Sequence, residues 1–341
     1  MATKLDDKRQ IATPINPARG GKIIELDIMK FYGVLLVILG HVANCYTDNA
    51  IVHPAISSDF MCELKDTIYA FHMPMFIFVS GYIFAYQLEV KKRRFSLSQL
   101  VNNKFKRLII PYICFALLWV LPIMCILGLR QPLPYAIGLL FGIDSRHLWY
   151  VMFLFEAFVL LFCILWCCTK LKIPKWFIVV PSLCMYMLPM LPYSLYFNIN
   201  SLMSHFVWFT MGYVFVLYKD FVKHVAVVAF LLCLIHYFTP LCLSQKLVVI
   251  INAFVGTALF YVLSLISKNL TKYKWYQVIS RNSFGIYLFH AMIIYTLEFF
   301  FISYSISPIL LSLIVFTLSL FASIVLTEFV RKVRLGVIVG E

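Results

Sequence analysis

Long apolar runs alternate with short polar breaks along the whole chain. Ten runs approach the ~20 residues that a helix needs to cross a hydrocarbon core ~30 Å thick. They cover 28–46, 67–86, 108–128, 147–169, 176–192, 201–218, 223–241, 247–266, 283–302 and 306–329. The pattern predicts an all-α, polytopic membrane bundle of about ten transmembrane helices. The bundle spans 28–330, between a cytoplasmic arm (1–27) and a cytoplasmic tail (331–341). The fifth run is the most interrupted, because Pro181, Pro189 and Pro192 fall within it. The longest breaks, 47–66 and 87–107, are too short to fold as domains. Function is therefore expected within the bundle.

Composition sharpens this reading. Apolar residues make up 62% and charged residues 13%, against ~25% charged in soluble domains. A soluble enzyme and a disordered chain are excluded. The net charge of +14 would by itself suggest nucleic acid, but its placement does not. With a cytoplasmic N-terminus, only Lys65, Arg130, Arg146 and Lys246 of the 29 basic residues fall on outer segments. That asymmetry is the positive-inside rule, so membrane lipids are expected partners and nucleic acid is not. The first run follows a polar arm and lacks a small-residue cleavage site, so it is expected to remain as an anchor. Ten Cys occur without a CxxC pair, mostly as small hydrophobes inside the runs. Cys45 and Cys62 fall near one outer loop, where a bond between them stays open.

An ionisable side chain inside hydrocarbon is costly and points to function. His41, His72, Glu156, His290 and Glu298 are the candidates, with Asp27, Lys30 and His147 at the edges. Lys30 and His41 are eleven residues apart, three turns on one helix face and ~16 Å along the axis. Asp27 lies on the same face. His41 and His72 are expected at one depth, nearer the outer side, where a dry site favours neutral imidazole and neutral imidazole accepts a proton from a hydroxyl. Hydrogen bonding to a neighbouring helix is the plainer role for either ring. No third ligand is spaced for a metal. On a regular helix His147 and Glu156 face opposite ways, while Trp149 shares a face with Glu156. Trp149 and Tyr150 also suit an interfacial belt. His290 is expected well below the His41 level, as bundle glue.

Four segments together resemble the acyltransferase-3 family of integral membrane O-acyltransferases. They are Leu26-Asp27-Ile28-Met29-Lys30 with Leu39-Gly40-His41; Phe71-His72-Met73-Pro74-Met75-Phe76 with Ser80-Gly81-Tyr82; His147-Leu148-Trp149-Tyr150; and Ser283 to His290. The likeness is strongest to the fucose 4-O-acetylase-like and polysaccharide O-acetyltransferase branch. It implies a ten-helix bundle in the bacterial cytoplasmic membrane, without a fused outer domain here. It also implies transfer of acetyl from cytosolic acetyl-CoA, the co-substrate, to a hydroxyl of an envelope glycan or lipid-linked sugar. His41 matches the family's proposed essential His. Lys30 stands where the family signature has Arg, which keeps the charge but loses the bidentate fork. The expected site then has His41 and His72 as catalytic residues and Asp27, Lys30, Lys106 and Arg107 near the CoA phosphates. Ser80, Tyr82, His147, Trp149 and Glu156 lie toward the acceptor. His41 serves as general base or as transient acyl carrier; both stay open. A transporter or flippase for a lipid-linked or anionic molecule is the alternative.

Overall fold

The computed structural model describes residues 23–48, 50–188, 196–218 and 245–341, together with Val228, Phe230 and Leu231. The described residues form helices and connecting turns, with no strand. Helix α1 (Ile24–Asn44) opens with Glu25 and Asp27 in its first turn, where carboxylates suit the helix dipole. The next span runs from Asp59 to Val90. It breaks between α2 (Asp59–Tyr69) and α3 (His72–Ala85). Pro74 explains the break, since its ring conflicts with the carbonyl four residues back, at Ala70. His72 thereby becomes the first residue of α3.

The third span, Leu97–Ile126, starts with α4 (Leu97–Lys104) behind a reciprocal cap. Ser96 Oγ accepts from the Gln99 amide (3.2 Å), and Gln99 Oε1 accepts from the Ser96 amide (3.0 Å). Wide π turns at Phe105–Ile109 and Ala116–Val120 precede α5 (Ile110–Phe115) and α6 (Leu121–Ile126). Pro111 and Pro122 sit just after those turns, whose looser ladder absorbs the missing amides. Short α7 (Pro132–Leu140) leads to α8 (Trp149–Lys170), α9 (Val179–Met187) and α10 (Ile199–Leu217). Helices α11 (Gln245–Ile266), α12 (Lys274–Phe301) and α13 (Pro308–Lys332) complete the bundle.

Among the described residues, seven helical segments are long and apolar enough to cross a membrane. The expected fifth run is a shorter apolar helix, Lys175–Met187. The sixth is α10, polar in its first turns. The expected span 223–241 lies mostly outside the described residues. The arm before residue 23 lies outside them entirely.

Helices α3 and α10 cross with no room for side chains. A Cβ on Gly81 would lie 2.0 Å from the Phe209 carbonyl oxygen, and one on Gly212 would lie 2.1 Å from that of Phe78. Close approach through small residues is how membrane helices associate, because lipid offers no hydrophobic drive between them. Cys45 and Cys62 are both free.

The Lys- and Arg-rich ends of the helices form a basic rim on which carboxylates are paired. Lys268 meets Glu25 at 2.6 Å, Lys30 meets Asp27 at 3.2 Å, and Lys175 meets Glu89 at 2.6 Å. Tyr213 also donates to Glu89. Glu328 on α13 is held by Arg281 and Asn282 of α12 and by Arg331.

Candidate functional site

Five elements each bring one histidine toward the end of the bundle opposite the basic rim. His41 occupies the last turn of α1. Its ring centre lies 4.9 Å from that of His290 on α12 and 6.2 Å from that of Tyr69 on α2. The His290 ring is 5.4 Å from that of His147, which stands in the turn Arg146–Leu148 before α8. On the other side, Tyr69 is 4.9 Å from His72. The His205 ring of α10 lies 4.8 Å from that of Trp149, tilted by 42°.

Hydrogen bonds assign the proton on most of these rings, because a carbonyl only accepts. His290 Nδ1 donates to the Tyr287 carbonyl at 2.7 Å, so Nε2 is bare. His147 Nε2 donates to the Leu288 carbonyl at 3.0 Å, so Nδ1 is bare. His72 Nδ1 donates to Ile68 (2.8 Å) and His205 Nδ1 to Ser201 (3.0 Å). Tyr287 donates to the His147 carbonyl, locking that turn. Among the described residues, His290 Nε2, His147 Nδ1 and His41 Nδ1 are buried without a partner. A buried polar atom without a partner costs ~1–3 kcal/mol, so three within one run of touching rings call for an explanation. The bare nitrogens of His290 and His147 accept only. None of the three nitrogens hydrogen-bonds another, so these contacts leave both tautomers of His41 open.

The depth expected for His290 is overturned. The sequence pattern started its helix near 283, whereas α12 starts at Lys274. Nine extra residues raise the ring by ~14 Å, to the level of His41. The polar stretch Lys274–Asn282 hides this start, since its helical character lies in contacts with α1 and α13 rather than in hydropathy. The opposed facing of His147 and Glu156 also fails to apply, because His147 precedes the regular helix. His205 escaped notice in the sequence. Its signal is a lone imidazole six residues into an apolar helix.

The other expected residues divide into groups. Ser80 shares a hydrogen bond with Tyr150 at 3.2 Å and donates to the Phe76 carbonyl at 3.0 Å. Tyr82 is buried lower on α3, against Phe215 (5.8 Å between ring centres). Glu156 lies one and a half to two turns below Tyr150 on α8, and both its oxygens are buried without a partner among the described residues. Glu298 of α12 is in the same position and fully buried. At the basic rim, Asp27 accepts from Ser280 (2.7 Å) and Tyr276 (3.2 Å) besides pairing with Lys30. Lys106 is exposed, and Arg107 Nε donates to the Gly340 carbonyl at 3.2 Å. Lys104 covers the Phe158 ring at 3.3 Å, a cation–π contact.

The arrangement thus has a cation at one end of α1, an imidazole cluster near the other, and ~16 Å of helix between them. Comparison with curated proteins finds no match, and comparison with solved structures finds none. The family model described as an acyltransferase domain matches residues 23–328, nearly the whole bundle, and the chain belongs to the acyltransferase-3 family, as a membrane acyltransferase.

Proposed function

We propose that the protein moves an acetyl group from cytosolic acetyl-CoA to a sugar hydroxyl of the cell envelope, in the bacterial cytoplasmic membrane. The fucose 4-O-acetylase-like and polysaccharide O-acetyltransferase branch is the reading that its motifs favour. The observation that carries the proposal is the half-buried His41 ring, whose Nδ1 is buried without a partner among the described residues, on the same helix face as Lys30. Lys30, with Lys106 or Arg107, meets the CoA phosphates at the basic rim, and Asp27 holds the Lys30 ammonium in place. The thioester end reaches up the bundle toward His41.

The His41 ring takes the proton of the acceptor hydroxyl as the hydroxyl oxygen attacks the thioester carbonyl. The tetrahedral centre collapses, the carbon–sulfur bond breaks, and the proton passes to the departing thiolate. The products are an O-acetyl ester and free CoA. His290 acts as a positioning residue: its ring centre lies 4.9 Å from that of His41 and holds that ring in place as the base. His72 flanks the ring through Tyr69, and Ser80 and Glu156 face the acceptor side. The transporter reading is not favoured by membership in an acyltransferase family.

The test is to incubate purified protein with acetyl-CoA and envelope glycans and follow free thiol together with acetylated sugar. His41→Ala is expected to lose both products. Full transfer by that variant overturns the mechanism.

A further inference from the structure

We infer that a polar cavity at the rim opposite the basic one is a saccharide site, in which one sugar ring lies against Trp149 with its hydroxyls bound by planar polar groups. This rests on the reading of His41 as the transfer centre, because it names where the acceptor waits. The cavity has a volume of about 340 Å³ and is lined by Asp144, Arg146, Trp149, Asn198, Asn200 and Ser201. The larger cavity, about 630 Å³ between α10 and α11, is walled by Trp208, Phe215, Phe254 and similar apolar groups, which offer a polyol nothing.

The polar cavity is built rather than incidental. Two loops form it and are tied together. The Phe197 amide donates to the Phe141 carbonyl at 2.7 Å, and Asn198 Nδ2 donates to the Trp149 carbonyl at 3.1 Å. Asp144, Arg146, Phe197 and Asn198 all have φ between 52° and 60°. The left-handed region costs a non-glycine residue ~1 kcal/mol or more. Four of the seven such residues among the described chain fall on these two short loops. Gly142, at φ 74°, allows the loops to meet: a Cβ there would lie 3.3 Å from the Phe197 backbone. Strain concentrated at one concave spot is a mark of a functional loop.

The lining chemistry suits a sugar. A carboxylate, a guanidinium, two carboxamides and a hydroxyl offer donors and acceptors side by side, and an indole offers an apolar face for ring C–H groups. Asp144 Oδ2 accepts from Arg130 (3.2 Å) and Arg146 (3.1 Å), which fixes both guanidinium planes. Arg146 Nε is buried and has no partner among the described residues. It is a donor waiting for an acceptor. The site also abuts the histidine cluster. Trp149 lines the cavity and touches His205, and Arg146 lines it and is followed by His147, whose ring leads through His290 to His41. Acceptor and donor then approach His41 from opposite ends of the bundle.

The full chain in lipid nanodiscs is titrated with methyl glycosides of hexoses, 6-deoxyhexoses, hexosamines and uronic acids, read by saturation-transfer NMR. At least one glycoside is expected to bind saturably. Its dissociation constant should rise at least tenfold in Trp149→Ala and in Asn200→Ala, and severalfold in Arg146→Lys, with melting temperatures near wild type. Binding should persist in His41→Ala. If no glycoside binds, or if binding ignores all three cavity variants, the saccharide site is overturned. If His41→Ala still transfers acetyl, the proposed mechanism falls, while the cavity variants continue to decide this site on binding alone. A polymer end and a lipid-linked head group are separated by repeating the titration with a soluble oligosaccharide and with vesicles carrying the glycolipid.

Discussion

The basic rim and the interior around His41 treat polar groups in opposite ways. At the basic rim, Glu25, Asp27, Glu89 and Glu328 each meet cations or hydroxyls within hydrogen-bond reach. Around His41, three imidazole nitrogens are buried with no partner among the described residues, and the carboxylates of Glu156 and Glu298 share that condition. Paired groups hold elements together: Glu328 fastens α13 to α12, and Asp27 fastens α1 to α12. Unpaired groups stabilise nothing and are a cost to the fold. A cost kept in the most constrained part of the bundle points to work done on another molecule.

This contrast can be broken most sharply at His41. His41→Ala is expected to lower transfer by ~10²–10⁴, the range for a positioned acid–base group, with the melting temperature almost unchanged. A large loss of stability with modest loss of rate would move His41 to the structural class. Next comes His290→Leu, which keeps volume and removes the bare nitrogen. It should reduce kcat by ~10²-fold, the scale of a misplaced reacting group, and leave KM for acetyl-CoA nearly constant. His290→Gln should restore part of kcat. Lys30→Ala is expected to raise KM for acetyl-CoA several-fold while costing under ~1 kcal/mol of stability, because a partly exposed ion pair contributes little. An unchanged KM removes Lys30 from phosphate contact. The smallest effect belongs to the rim: Glu328→Gln should cost about 1 kcal/mol in thermal unfolding and leave kcat alone. A loss of rate there would mean that the pairing does more than fasten helices.

Much of this could be read before any coordinates. The apolar runs located most of the long helices to within a few residues, since hydropathy over ~20 residues is a strong signal in lipid. The sequence also placed His41 and Lys30 on one face, because that follows from helical geometry alone. Three things stayed hidden. The start of α12 was missed because Lys274–Asn282 is polar, and with it the level of His290. The His147 turn defeated a helical-wheel argument, since a 3₁₀ turn departs from the 3.6-residue period. The loop cavity was invisible because it joins residues 142–149 to 198–201, and no local pattern announces a contact between two loops.

The segments Asp59–Val90 and Leu97–Ile126 contain 32 and 30 residues. At full helical rise they measure ~45–48 Å, well beyond the ~30 Å of hydrocarbon. Each segment can change direction along its length, at the break before His72 and at the wide turns before Pro111 and Pro122. The Pro111 and Pro122 turns are then the natural joints.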